Sequence, residues 1–87
     1  MKSNMSKSAG FHTALQRARI EAEITQVELA RRTGISQPRI AVLEAGAAKP
    51  SRQTAEKIAV ALGLKPEKVF PDFATLREAN RVARARP

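Results

Sequence analysis

Residues 25–40, TQVELARRTGISQPRI, have the pattern of two short helices joined by a tight turn. Thr25 and Glu28 have the spacing of a capping box, in which the hydroxyl bonds the Glu28 amide and the carboxylate reaches back. Gly34 ends this helix, because glycine readily adopts the left-handed conformation that follows many helices. Ser36 is then an N-cap candidate for the next helix. The sequence therefore predicts a helix, a sharp turn and a second helix.

Small and aliphatic residues lie where the two helices would cross. Ala30 leaves room for the second helix to approach the first closely, and a larger side chain would push them apart. The wedge between the helices is filled by Leu29, Ile35, Ile40 and Leu43. Such positions are what two short helices packed at a steep angle require.

Helical signals continue on both sides of this stretch, and no segment has the pattern of a strand. Upstream, apolar residues recur at helical spacing from about Phe11. Downstream, Ser51 is an N-cap candidate and Gly63 a helix stop. A short fifth helix is expected from Pro66 through Phe70. The sequence therefore predicts an all-α fold of five helices.

Composition limits the class of protein. The chain has 87 residues, no cysteine, and 16 Lys and Arg against 8 Asp and Glu, a formal net charge of +8. This length fits one small domain, and a disulfide scaffold is excluded. With no apolar run of about 20 residues and a polar N-terminus, we expect a soluble cytoplasmic protein with no membrane partner. The positive charge favours a polyanion such as nucleic acid.

The sequence shows no pattern of a catalytic or metal site. His12 is the only histidine, and no cysteine or acidic cluster lies near it in sequence. Glu21 and Glu23 are two positions apart, so they do not share a helix face. We therefore expect no enzyme, no metal and no cofactor.

A family resemblance rests on three segments of this pattern. Residues 25–40, together with Leu43-Glu44-Ala45-Gly46 and Ala61-Leu62-Gly63-Leu64, resemble the helix-turn-helix of the Cro/C1 (Xre) family of phage and plasmid regulators. The similarity runs from about Phe11 to Phe70. It implies a compact five-helix, lambda-repressor-like DNA-binding domain over residues 11–71.

The resemblance also implies a set of base-reading residues. In this family the third helix enters the major groove, and its N-terminal residues touch base edges. The matching positions here are Gln37, Pro38 and Val42. Gln37 can bond adenine N6 and N7, and Val42 can pack on a thymine methyl group. Arg39 is added from its place on the outer side of the first turn, where it could reach guanine or a phosphate.

Phosphate contacts are implied at two further places. The family places a glutamine at the first residue of the second helix, where the helix N-terminus also favours an anion. Here that residue is Gln26. Lys49 and Arg52 flank the loop into the fourth helix, where relatives also grip the DNA backbone. Ala47-Ala48 depart from the Lys or Arg that relatives often carry, which puts part of this second grip in doubt.

Arg19 and Glu44 match a recurring ion pair of the family. Arg19 on the first helix would reach Glu44 at the end of the third helix and hold the reading helix in place. We expect this pair to be partly buried and structural.

The two ends of the chain are expected to differ from the domain. Residues 1–10 are predicted to be a flexible arm, and residues 72–87 a basic extension, either a sixth helix over 72–86 or a disordered tail. Apolar residues left over from the core are candidate dimer contacts: Val69, Phe70, Phe73 and Leu76. Three basic residues would share one face of such a helix and could lie along DNA instead: Arg77, Arg81 and Arg84.

The favoured interpretation is a sequence-specific, double-stranded DNA-binding transcriptional regulator. We expect a small homodimeric repressor of phage, plasmid or mobile-element type that acts on an inverted-repeat operator. An alternative is the antitoxin of a toxin–antitoxin pair, which would bind its toxin and repress its own promoter. A third interpretation is an activator that touches RNA polymerase through the second or third helix.

Overall fold

Five α-helices and one 3₁₀ turn make up the computed structural model, which describes residues 12–78. The helices are α1 (Ala14–Glu21), α2 (Gln26–Thr33), α3 (Gln37–Glu44), α4 (Arg52–Leu62) and α5 (Pro66–Val69), and the 3₁₀ turn spans Phe73–Thr75. No strand occurs in residues 12–78. The predicted all-α, five-helix fold is confirmed. In the same part of the chain, no helix is long and apolar enough to cross a membrane.

Side-chain caps begin four of the helices. The hydroxyls of Thr13, Thr25, Ser36 and Ser51 each accept a hydrogen bond from the amide three residues later. Gly34 follows α2 with a φ of 77°, the left-handed conformation that the tight turn needs. The capping box at Thr25 is only half formed, because the Glu28 carboxylate bonds Arg31 and Arg32 instead.

The core lies between the two helices of the turn and the helices that flank them. Leu29 of α2 and Ile40 and Leu43 of α3 are buried, and Ala30 and Ile35 pack against them. The other core members come from α1, α4, α5 and the C-terminal end of the described chain: Leu15, Ala18, Ala55, Ile58, Ala59, Val69, Phe70 and Leu76. This packing fixes the inner face of α3 and leaves its outer face to solvent.

The chain after Pro71 departs from the predicted sixth helix. Only the 3₁₀ turn forms, and Leu76 then leaves it in an extended conformation with a φ of −72° and a ψ of 146°. The extended backbone lets the Leu76 side chain enter the core while the Arg77 carbonyl accepts a 2.8 Å hydrogen bond from the Arg52 amide. A helix over 72–86 is therefore wrong for its described part, and residues 79–87 lie outside the described residues, as does the predicted arm at 1–10.

The premise for the predicted dimer contacts is also wrong. Val69, Phe70 and Leu76 are at most 8% exposed and belong to the core of the single chain, and Phe73 packs against that core. These side chains were expected to be left over only because the predicted core ended too early. The described large apolar residues that remain exposed are Ile20, Val27, Val42, Val60 and Leu64.

Candidate nucleic-acid interface

The first turn of α3 presents a polar, exposed surface on a buried support. Gln37, Pro38 and Arg39 are all exposed, whereas Ile40 in the next position is fully buried. Val42 lies one turn further along and is also exposed. The Arg39 side chain has no hydrogen bond or ion pair within residues 12–78. The candidate base readers therefore lie together on one accessible face of a helix whose other face is fixed.

A chain of polar side chains connects this surface to the interior. The Gln37 Nε2 donates to the Gln26 Oε1 at 2.7 Å, and the Gln26 Nε2 donates to the Glu44 Oε1 at 3.0 Å. The two glutamines are eleven positions apart and meet across the turn. This contact between a candidate base reader and a candidate phosphate contact was not predicted from the sequence.

Glu44 is the buried end of that chain. Its side chain is 1% exposed, and it pairs with Arg19, whose side chain is 13% exposed. The Arg19 Nε donates to one carboxylate oxygen and the Nη2 donates to the other at 3.1 Å. The Arg19 Nη1 also donates to the Ile24 carbonyl at 2.8 Å, so one guanidinium joins α1, the loop before α2 and the end of α3.

The two basic residues expected at phosphates are engaged by the segment that follows α5. The Lys49 Nζ lies 2.9 Å from the Asp72 Oδ2, and both side chains are largely exposed. The Arg52 guanidinium lies 4.7 Å from the centre of the Phe73 ring, and its Nη1 donates to the Ala74 carbonyl at 3.3 Å. The hydrogen bond from Lys49 lowers the pKa of the Asp72 carboxyl, so this carboxylate stays ionised to a lower pH than that of a free aspartate.

A cleft of about 540 Å³ lies between Lys49 and the first turn of α3. Arg39, Lys49 and Arg77 line it, together with one carboxylate from Glu78. Three hydroxyls complete its polar wall: Ser51, Thr54 and Thr75. Thr75 and Arg77 were not predicted at this place, because no local pattern indicates that the chain returns to the start of α4.

The two arginines at the end of α2 share one carboxylate. Glu28 bonds Arg31 at 2.6 Å and Arg32 at 2.7 Å, and these hydrogen bonds lower the pKa of the Glu28 carboxyl. Because one carboxylate balances only one of the two guanidinium charges, the end of α2 keeps a net positive charge. Residues 12–78 contain no group of histidine, cysteine or carboxylate side chains that could hold a metal ion.

Comparison with known proteins defines the class. The model of the helix-turn-helix family matches residues 15–69, which is more than half of the chain. No curated protein and no solved structure matches this chain. The chain belongs to the helix-turn-helix family, of the Cro/C1 type that its sequence resembles, and is a DNA-binding transcriptional regulator.

Proposed function

We propose that the protein is a homodimeric repressor that reads an inverted-repeat operator through the first turn of α3. The observation that carries this proposal is the exposure of Gln37, Pro38 and Arg39 on a helix whose opposite face is buried and whose last residue, Glu44, is fixed by Arg19. A rigid helix with polar side chains at its N-terminal end fits the major groove, which admits an α-helix.

Each base reader has a chemical role. The amide of Gln37 offers the donor and acceptor pair that matches adenine N7 and N6. Val42 is apolar and exposed, which suits a thymine methyl group. Within residues 12–78 the Arg39 guanidinium has no hydrogen bond or ion pair, and it either bonds guanine O6 and N7 or binds a phosphate beside the cleft.

Phosphate contacts set the register of the helix on the duplex. Gln26 uses one amide hydrogen for Glu44, which leaves one hydrogen for a phosphate, and the N-terminus of α2 favours the same anion. Lys49 and Arg52 lie at the start of α4. Because Lys49 has three N–H donors, it can bond Asp72 and a phosphate together.

Two copies are needed for a full operator, because one reading helix covers a half-site. Half-sites of a dimeric helix-turn-helix protein lie about 34–36 Å apart, one turn of the duplex. Since the apolar residues near α5 are used inside the chain, the pairing surface is expected among the exposed aliphatic residues, with Val60 and Leu64 at the end of α4 as the first candidates. Occlusion of a promoter by the bound dimer would repress transcription.

Selection of bound fragments from a random duplex library tests this proposal. We expect an enriched inverted repeat with half-sites about one helical turn apart. A reporter placed behind that operator should be repressed by the wild-type chain and by Arg17→Met, whose side chain is exposed on α1 and pairs with Glu21. It should escape repression by Gln37→Ala. Failure to enrich any motif would contradict sequence-specific binding. Enrichment of a single, unrepeated half-site would contradict the dimer.

A further inference from the structure

The polar chain from Glu44 to Gln37 has a fixed donor-to-acceptor direction. An ionised carboxylate can only accept hydrogen bonds, so the Gln26 amide must turn its NH₂ group toward Glu44. The carbonyl oxygen of Gln26 then points the other way, toward Gln37. That oxygen can only accept, so Gln37 must in turn offer its NH₂ group. The charge of Glu44 therefore sets the orientation of both amides.

The Glu44 side chain is held in place and cannot turn to accept the opposite orientation of the Gln26 amide. It is buried, and its two oxygens are held by the Nε and Nη2 of Arg19. If the Gln26 amide flipped, its carbonyl oxygen would face the buried carboxylate, and two acceptors would lie together with no proton between them. Leaving a buried polar group without its partner is unfavourable, so the observed direction is the stable one.

Counting the remaining hydrogen-bond groups shows what Gln37 can recognise. One of its two Nε2 hydrogens is taken by Gln26, which leaves one N–H and the carbonyl oxygen. Adenine presents an acceptor at N7 and a donor at N6 in the major groove, which matches this pair. Guanine presents acceptors at N7 and O6, which would need both hydrogens of the NH₂ group.

We propose that Glu44 is a specificity-determining positioning residue, which through Gln26 makes Gln37 select adenine over guanine without itself touching DNA. This inference rests on the proposed role of Gln37 as a base reader. Arg19 has a part in it, because its guanidinium bonds both oxygens of the Glu44 carboxylate and holds it in place inside the fold.

The test compares matched operators that differ only at the base pair read by Gln37. That base pair is located as the position at which Gln37→Ala loses its sequence preference in the fragment selection. If no position loses its preference, Gln37 reads no base and its proposed role fails. If the wild-type chain selects guanine at the located position, Gln37 is a reader but the Glu44 proposal is overturned.

The decisive variant is Gln26→Leu. It removes the two hydrogen bonds that connect Glu44 to Gln37 and leaves Glu44 paired with Arg19. Freed from Gln26, the Gln37 NH₂ group can donate both hydrogens to guanine. We expect binding to weaken on both operators and the adenine-to-guanine affinity ratio to fall by about tenfold, the discrimination of one bidentate contact. Preference at the base pair read by Val42 should stay as in the wild type. An unchanged ratio would overturn the proposal.

Two further variants distinguish the effect of the Glu44–Gln26–Gln37 hydrogen bonds on base preference from a general loss of DNA affinity. Lys49→Ala should weaken binding to both operators equally and leave the ratio at its wild-type value. Glu44→Gln can donate as well as accept, so it should lower the ratio in the same direction as Gln26→Leu, with folding checked by circular dichroism. If Glu44→Gln does not fold, Gln26→Leu alone decides the matter, since its ratio either falls or does not.

Discussion

Two ion pairs flank the reading helix, and they differ in burial. Arg19–Glu44 lies under α3 with side chains 13% and 1% exposed, whereas Lys49–Asp72 lies beside it with side chains 76% and 48% exposed. The buried pair is surrounded by protein and organises the polar chain to Gln37. The exposed pair is in water, where a DNA phosphate can approach the same ammonium group. One pair therefore supports the proposed base-reading surface from inside the fold, and the other is accessible to the proposed phosphate contact.

The largest expected effect is on the buried pair. Arg19→Met leaves Glu44 as a buried charge with only Gln26 as a partner, so the free energy of unfolding should fall by about 3–5 kcal/mol. Chemical denaturation followed by circular dichroism measures this loss. Arg17→Met is the matched control, because Arg17 pairs with Glu21 on the exposed face of the same helix and should cost less than about 1 kcal/mol. Equal losses in the two variants would remove the distinction between buried and exposed pairs.

Next in size is the effect of Gln37→Ala on base discrimination. Losing a bidentate base contact should reduce the preference for the operator over a random duplex by about 1–3 kcal/mol, while sequence-independent binding persists. Separate titrations of the two duplexes give the two affinities. A parallel loss on both would mean that Gln37 supports the helix and reads no base.

Val42 should contribute a smaller, purely apolar term. Replacing the contacted thymine with uracil removes one methyl group and should weaken wild-type binding by about 0.8 kcal/mol, the value of one buried methyl-sized group. Val42→Ala should be nearly insensitive to the same change, because its shorter side chain no longer reaches the methyl. The same uracil penalty in both proteins would show that Val42 does not meet that base.

The exposed pair should give the smallest change in affinity at physiological salt. Asp72→Asn removes a carboxylate from beside Lys49 and should strengthen binding to operator and random duplex alike by less than about 1 kcal/mol. Lys49→Ala should have the opposite sign and should lower the slope of log affinity against log salt by about one unit. If the slope is unchanged, Lys49 makes no phosphate contact and its pairing with Asp72 persists on DNA.

The two regions also differ in how far their structure follows from local sequence. The start of α2, the turn and the start of α3 are each set by residues close together in the chain, namely Thr25, Gly34 and Ser36. Each cap and the left-handed turn is made by hydrogen bonds between residues no more than four positions apart. For this reason the helix-turn-helix was predictable from the sequence.

Contacts across the turn or between distant segments were not predictable in the same way. The bond between Gln26 and Gln37 depends on the exact crossing of α2 and α3, which side-chain spacing does not give. The extension was misjudged for a related reason: Leu76 gains more by entering a core built mostly by earlier helices than by lining a thin helical stripe. The Arg77 carbonyl then finds the Arg52 amide, a partner 25 positions away that no local pattern indicates.

The central claim is that the exposed first turn of α3 is the surface that meets DNA. The most direct measurement is the change in backbone and side-chain amide NMR signals of the full chain as the selected operator is added. The account predicts that the signals of Gln26, Gln37, Arg39 and Val42 shift most, with those of Arg17 and Glu21 on the exposed face of α1 nearly unchanged. Large shifts at Arg17 and Glu21 with α3 unaffected would contradict it.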